Sequence, residues 1–170
     1  MSWKSQIQYI LTKIKRGVGI LSKIRYYSGI NVPSNLYYAL IYPFFIYGII
    51  AWGNTYSTTL QPLFILQKRA IRLITFASFH EHSSPIFRKL NIIKLNDLLS
   101  YHIAVFMYRF NNSLLPSAFD AFFSKVSEIH YYNTRSAAKQ SYYLFKARTN
   151  YGKFNIRFQG PKIWNSIDKI

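Results

Sequence analysis

Residues 34–52 form a run without a single charged side chain, SNLYYALIYPFFIYGIIAW. We expect most of its apolar side chains to be shielded from water. Pro43 and Gly48 interrupt it. A proline inside a helix removes a backbone hydrogen bond and clashes with the preceding turn. The run therefore predicts a kinked or broken helix that is covered either by a protein core or by a membrane, because about 17 apolar residues are enough to span a bilayer.

Apolar residues recur at helical spacing on both sides of this run. They predict a helix over 3–27, whose stripe consists of Trp3, Ile7, Ile10, Ile14, Val18 and Leu21. Further helices are predicted over 59–76, over 84–90, from about 96 to 112, and, as a short one, over 117–125.

Gly17 and Gly19 lie inside the first predicted helix. Each weakens a helix by about 1 kcal/mol relative to alanine. We expect them to mark a kink or a place where the backbone closely approaches another element.

The C-terminal part is rich in aromatic residues. Residues 141–147 and 153–158 resemble strands, the second by its alternation, and Asn150 to Gly152 suits a turn between them. The tail after Gly160 resembles a closing helix. The predicted fold is mainly α, with five or six packed helices, a small C-terminal β-hairpin and a closing helix. Composition suggests three regions: a basic helical region 1–80, a helical continuation 81–128 and an aromatic-rich segment 129–170.

Positive charge dominates the chain, which has 22 Lys and Arg against 5 Asp and Glu, for a net charge of +17 in 170 residues. The first eighty residues contain no acidic residue at all. An uncompensated basic surface repels itself, so a polyanionic partner is expected. Half of the residues are hydrophobic, which argues against a disordered polycation.

Catalytic and metal-binding patterns are absent from the sequence. Asp97, Asp120 and Asp168 lie far apart along the chain, whereas two-metal catalysis needs carboxylates that converge. His80 and His82 have no third ligand at a recognisable spacing. The absence of cysteine excludes disulfides, cysteine-based zinc fingers and cysteine nucleophiles. We therefore expect no catalytic residue and no metal ligand.

Clustered bases are the predicted nucleic-acid-binding residues, because Lys and Arg contact phosphates. These residues are Lys13, Lys15, Arg16, Lys23, Arg25, Lys68, Arg69 and Arg72. A weaker candidate region runs from Arg135 to Arg157 and includes tyrosines that could stack on bases. Those tyrosines are Tyr131, Tyr132, Tyr142 and Tyr143.

An ordered set of phrases resembles the region just after the palm of reverse transcriptases from non-LTR (LINE-like, jockey-type) retrotransposons. The phrases are Gly19-Ile20-Leu21-Ser22-Lys23-Ile24-Arg25, Leu36-Tyr37, Leu40-Ile41-Tyr42-Pro43, Tyr47-Gly48, Trp52-Gly53-Asn54 and the LQKRAIR of 66–72. Farther on come His82 with Pro85-Ile86-Phe87, Asn112 through Pro116, His130 with Tyr132-Asn133-Thr134-Arg135, and Gly160 with Trp164-Asn165. The set covers nearly the whole chain.

The resemblance implies the thumb and post-thumb part of an RNA-directed DNA polymerase, which grips the template–primer backbone. The palm tetrapeptide Y-x-D-D is missing, so this chain alone is not expected to be an enzyme. The implied partners are RNA, DNA or their hybrid, together with the palm and fingers expected upstream in the parent polyprotein. The chain would need no cofactor of its own, although the full-length enzyme would use Mg²⁺ in its palm.

Two alternatives remain open at this point: a membrane-associated basic protein that uses residues 34–52, and a decayed relic without function. The N-terminus shows no signal peptide, so we expect an intracellular location, in a nuclear or cytoplasmic ribonucleoprotein.

Overall fold

A computed structural model describes residues 3–129, 132 and 134–167. The chain forms two compact units, one ending at Leu98 and the other beginning at Leu99. The regions 1–80, 81–128 and 129–170 were defined by amino-acid composition and not by packing, so this division stays a prediction. His130, Tyr131, Asn133 and Asp168, which the sequence analysis named, lie outside the described residues.

The first unit is built from helices. They are α1 (Lys4–Ile24), α2 (Asn31–Leu40), α3 (Tyr42–Ile46), α4 (Ile49–Trp52), α5 (Ser57–Thr75), α6 (Ser83–Lys89) and the first turn of α7 (Leu95–Asn111). The predicted helices over 3–27, 59–76, 84–90 and 96–112 are confirmed, each to within a few residues at either end.

Helix α1 packs mainly against α5 and also against α2 and α3. Its apolar stripe turns inward, and Ile14 and Leu21 on it are completely buried. Leu63, Ile71 and Ile74 form the matching buried side of α5. The bases of both helices therefore lie outside the core that holds the helices together.

Gly17 of α1 lies against the turn between α2 and α3. A Cβ built on Gly17 would lie 2.9 Å from Cγ1 of Ile41 and 3.4 Å from the carbonyl oxygen of Leu40. A Cβ on Gly19 would have no neighbour within 4 Å. The close approach is confirmed at Gly17 only, and α1 runs through both glycines without interruption.

The uncharged run 34–52 is broken, as predicted, into most of α2, then α3 and α4. Gly48 has a positive φ of 62°, which separates α3 from α4 and lets Nε1 of Trp52 donate to the carbonyl of Tyr47 at 2.7 Å. The core of the first unit covers much of this run, including Tyr37, Phe45 and Trp52. In the described part of the chain, no helix combines the length and the apolar character needed to cross a membrane.

Gln67 on α5 is a completely buried polar residue, and both the nitrogen and the oxygen of its side-chain amide form hydrogen bonds. Its Nε2 donates to the hydroxyl of Tyr37 at 3.1 Å and to the carbonyl of Ile93 at 2.9 Å, and its Oε1 accepts from the backbone N–H of Leu95 at 2.9 Å. Burial raises the pKa of the Tyr37 hydroxyl above its usual range. Gln67 thus joins α5 to α2 and to the segment that leads into α7.

The second unit contains the rest of α7, a 3₁₀ turn, α8 (Val126–Ile129), α9 (Arg135–Ala138), α10 (Asn150–Phe154) and α11 (Ile156–Ser166). The 3₁₀ turn, Ser117–Phe119, takes the place of the short helix predicted over 117–125. The core is aromatic and centres on Met107, Phe123 and Tyr142. Burial raises the pKa of the Tyr142 hydroxyl, with a smaller contribution from Glu128, and burial lowers the pKa of His102.

The predicted β-hairpin is wrong. The described residues contain no strand, only an isolated bridge between Lys125 and Tyr142, and residues 150–166 form α10 and α11. Both helices begin at side-chain caps: Oγ1 of Thr149 accepts from Gly152 N–H at 3.1 Å, and Oδ1 of Asn155 accepts from Arg157 N–H at 2.9 Å. The mainly α class is confirmed, but the described residues form more helices than the five or six predicted, several of them a single turn long. The alternation that resembled a strand is interrupted at Asn155 by the cap of the closing helix.

The backbone of Tyr142 nevertheless pairs as a strand residue would, but its partner is the side chain of Asn165 and not a second strand. Asn165 accepts from the backbone N–H of Tyr142 at 3.0 Å and donates to its carbonyl at 2.8 Å. Gly160 on the same helix lets α11 approach the core, since a Cβ there would lie 2.7 Å from Sδ of Met107. Within residues 141–147, Tyr142 thus pairs with a side chain of α11.

Candidate nucleic-acid interface

The first unit carries most of the excess charge, with 12 Lys and Arg against two acidic residues, Glu81 and Asp97. Asp97 lies in the first turn of α7, where a carboxylate is favoured by the helix dipole. Glu81 lies in the loop before α6. The basic sides of α1 and α5 therefore have few acidic residues to balance them.

The bases of α1 occupy the side of the helix away from the core. Lys15, Arg16 and Lys23 are exposed, and Lys13 is half-buried with its Nζ 5.2 Å from the ring centre of Tyr9. At about 100° per residue, these four bases spread over roughly 160° of the helix circumference. They form a broad basic surface and not a point-like site.

On α5 the three predicted bases share one sector of about 100°, but their surroundings differ. Lys68 places its Nζ 4.3 Å from the ring centre of Phe64, and Arg69 is exposed. Arg72 donates from Nη2 and Nε to the carbonyl of Glu81 at 2.8 and 3.1 Å. Arg69 is thus open to solvent, whereas Arg72 holds the loop that precedes α6.

The C-terminal ends of α1 and α5 lie together. Arg25 caps α1, and its guanidinium carbon lies 4.2 Å from the ring centre of Phe76, which caps α5. Tyr26 meets the same Phe76 ring edge-on, with ring centres 6.1 Å apart. Lys23 and Arg72 lie in the last turns of the two helices, where a cation is favoured by the helix dipole.

Of the eight predicted residues, the structure therefore brings Arg25 and Arg72 to one end of the helix pair, with Lys23 in the adjoining turn. Lys13 is twelve positions before Arg25, or about 18 Å along α1. The bases do not converge on a pocket, and their extended arrangement is one that a long anion can follow.

Sequence reasoning missed the exposed rings at this helix end, namely Tyr26, Phe76 and Phe79. The sequence offered one signal, since Tyr26 lies in the last turn of the helix predicted over 3–27 and Phe79 lies just beyond the helix predicted over 59–76. That signal is weak, because in a chain with 32 aromatic residues most rings belong to cores.

The weaker candidate region in the second unit is only partly on the surface. Tyr132 and Tyr143 are exposed, but Tyr142 is buried and its hydroxyl donates to Oδ1 of Asn111 at 3.0 Å. Arg157 stacks on Phe122, with its guanidinium carbon 4.5 Å from the ring centre. The expectation that Tyr142 is available to stack on a base is wrong.

An open pocket of about 450 Å³ lies between α6 and the start of α7. Arg88, Lys94 and Asp97 line it, and Nζ of Lys94 is 3.3 Å from Oγ of Ser84. Charges of both signs meet there. Among the described residues, no three His, Asp or Glu side chains are grouped so that they could hold a metal ion.

Comparisons with protein-family models, with curated proteins and with solved structures find no match to this chain. The resemblance to non-LTR reverse transcriptases therefore depends on the quoted phrases alone.

Proposed function

We propose that the chain binds nucleic acid independently of sequence, through phosphate contacts made by the basic sides of α1 and α5. The observation that carries the proposal concerns the exposed bases Lys15, Arg16, Lys23 and Arg69. Within the described residues, no acidic side chain pairs with any of them. The core holds the two helices that carry these bases, and their exposed side chains are available to an anion from solvent.

Counterion release makes such a surface effective. A polynucleotide carries a condensed layer of cations, and each phosphate that a Lys or Arg neutralises releases them. Binding also relieves the self-repulsion of the basic surface. Both effects depend on charge, so affinity falls with added salt and varies little with sequence.

The order of the quoted phrases supports a more specific proposal. The chain would be the thumb and post-thumb part of a non-LTR retrotransposon RNA-directed DNA polymerase, gripping RNA, DNA or an RNA–DNA hybrid. Its protein partner would be the palm and fingers of the same polyprotein, whose carboxylates would hold Mg²⁺. In this proposal the chain contributes grip and no catalytic group, and it acts within an intracellular ribonucleoprotein.

Charge reversal on α1 tests the binding surface. We expect the triple variant Lys15→Glu, Arg16→Glu and Lys23→Glu to bind a labelled RNA–DNA hybrid more weakly, whatever its sequence. In a fluorescence-anisotropy salt series, its log–log slope should become shallower by about 0.9 for each phosphate that the variant no longer neutralises. These residues are exposed, so the fold should survive the change, which circular dichroism checks.

The matched control reverses three exposed bases that lie outside α1, α5 and the Arg135–Arg157 region, namely Lys89, Arg109 and Lys162. The net charge changes by the same amount, yet the hybrid affinity should stay closer to that of the unaltered chain. An equal decrease in affinity in the two triple variants would show that total charge, and not the α1 surface, governs binding. If the folded protein does not bind at low salt, the proposed function is wrong and the relic alternative gains support.

A further inference from the structure

Aromatic rings and guanidinium groups alternate where α1 and α5 end together. We call Arg25, Tyr26, Arg72, Phe76 and Phe79 the helix-end cluster. The guanidinium carbon of Arg25 lies 5.2 Å from the ring centre of Tyr26 and 4.2 Å from that of Phe76. The guanidinium carbon of Arg72 lies 6.0 Å from the ring centre of Phe79.

The rings of this cluster remain in contact with water. Tyr26 is 72% exposed, Phe79 is 78% exposed and Phe76 is 51% exposed. Their neighbours in the cluster are cations, so the surface is neither a continuous apolar patch nor a plain charged one. More than half of the surface of each of these three aromatic residues is therefore open to solvent.

The backbone of Phe76 adds an independent sign that this surface is specialised. Phe76 ends α5 with a φ of 57°, in the left-handed region where glycine or asparagine is the usual residue. A bulky side chain is strained in this conformation. Despite this strain, the Phe76 ring lies at the helix end, against Arg25 and Tyr26. Strained residues of this kind concentrate at binding and catalytic sites.

The chemistry of the cluster fits unpaired nucleotides. An unpaired base has an apolar face that stacks on an aromatic side chain, while its phosphate pairs with a neighbouring cation. In a blunt duplex the internal bases are already stacked on one another, so only the two terminal base pairs offer a free face. The excess of basic over acidic side chains in the first unit favours a polyanion over an uncharged apolar partner.

We propose that the helix-end cluster stacks unpaired bases, so that the chain binds single-stranded nucleic acid, or a single-stranded overhang, more tightly than a blunt duplex with the same number of phosphates. This inference depends on the proposed function, because the basic sides of α1 and α5 would supply the phosphate contacts that bring the strand to the cluster. Tyr26, Phe76 and Phe79 are the stacking residues. Arg25 and Nη1 of Arg72, the nitrogen that does not bond the carbonyl of Glu81, contact the flanking phosphates.

Three DNA probes of equal phosphate number separate stacking from charge: a single strand, the same sugar–phosphate strand with every base removed, and a blunt duplex. We expect the unaltered chain to bind the intact single strand about fivefold or more tighter than the abasic strand, since stacking on an aromatic side chain contributes substantially for each base. Equal affinity for the intact and abasic strands would overturn the inference.

Phe79→Ala tests the cluster itself, and Tyr47→Ala is its control. Phe79 and Tyr47 are 78% and 79% exposed, and both belong to the first unit, but Tyr47 lies outside the cluster. Phe79→Ala should weaken binding of the intact strand about fivefold or more and leave the abasic strand and the duplex unchanged. Tyr47→Ala should leave all three affinities unchanged.

The outcomes separate this inference from the proposed function. If salt-dependent binding persists but Phe79→Ala acts equally on all three probes, only the stacking site is wrong. If none of the probes binds to the folded protein at low salt, the proposed function fails as well. Loss of binding to anionic vesicles in Phe79→Ala, with DNA binding unchanged, would assign the cluster to a lipid surface and overturn the inference.

Discussion

Gly17 and Gly19 lie two positions apart on α1 and have opposite surroundings. Gly17 is buried against Ile41, and the space beside Gly19 is open. The same residue type thus serves close helix packing at one position and only loosens the helix at the other. The sequence could predict a kink or a close approach at these glycines, but not which of the two occurs or at which glycine, because the answer depends on where the α2–α3 turn lies.

Two alanine substitutions should therefore have opposite signs. Gly19→Ala should raise the free energy of unfolding by up to about 1 kcal/mol, because alanine is the better helix former and its methyl group meets nothing. Gly17→Ala should lower the free energy of unfolding despite the same helix preference, because overpacking in a core costs about 1–3 kcal/mol. Urea unfolding measures both changes, and a stabilised Gly17→Ala would contradict the packing at Ile41.

Single residues of the interface were predictable to different degrees. The bases Lys15, Arg16, Lys23 and Arg69 are where amphipathic spacing puts them, outside the core. The spacing could not show that Arg72 would be engaged with the carbonyl of Glu81. That contact depends on the path of the loop before α6, which no periodicity encodes.

At the scale of elements, helices with long apolar stripes were predictable and the short C-terminal ones were not. The stripe of α1 repeats over five turns, so its period is unambiguous. Phe154, Ile156 and Phe158 alternate over only five residues, which suits a strand as well as two short helices. The cap at Asn155 decides between them.

Asn155→Ala tests the role of this cap. Loss of the bond from Arg157 N–H to Oδ1 should destabilise the second unit by about 1 kcal/mol, the usual effect of removing an asparagine N-cap. Asn150→Ala is the control, because Asn150 is exposed in the first turn of α10 and Thr149 supplies the cap there. Thermal unfolding followed by circular dichroism compares the two variants, and equal midpoints would contradict the cap assignment.

At the scale of the whole molecule, positive charge is a property of both units. The second unit has 10 Lys and Arg against three acidic residues, compared with 12 against two in the first. The total charge of +17 predicts an anionic partner but does not say where it binds. The structure adds the distinction between bases that are engaged, such as Arg72 on the carbonyl of Glu81, and bases such as Arg16 that stay exposed.

The most direct test of nucleic-acid binding by this chain is the salt dependence of its affinity for a labelled RNA–DNA hybrid, measured by fluorescence anisotropy with hybrids of two unrelated sequences. We predict that affinity falls steeply and linearly on a log–log plot, with nearly the same slope for both sequences, at about 0.9 per phosphate contacted if the hybrid behaves as B-form DNA does. Absence of binding at low salt by the folded protein, or an affinity that does not change with salt, would contradict the phosphate-contact surface on α1 and α5.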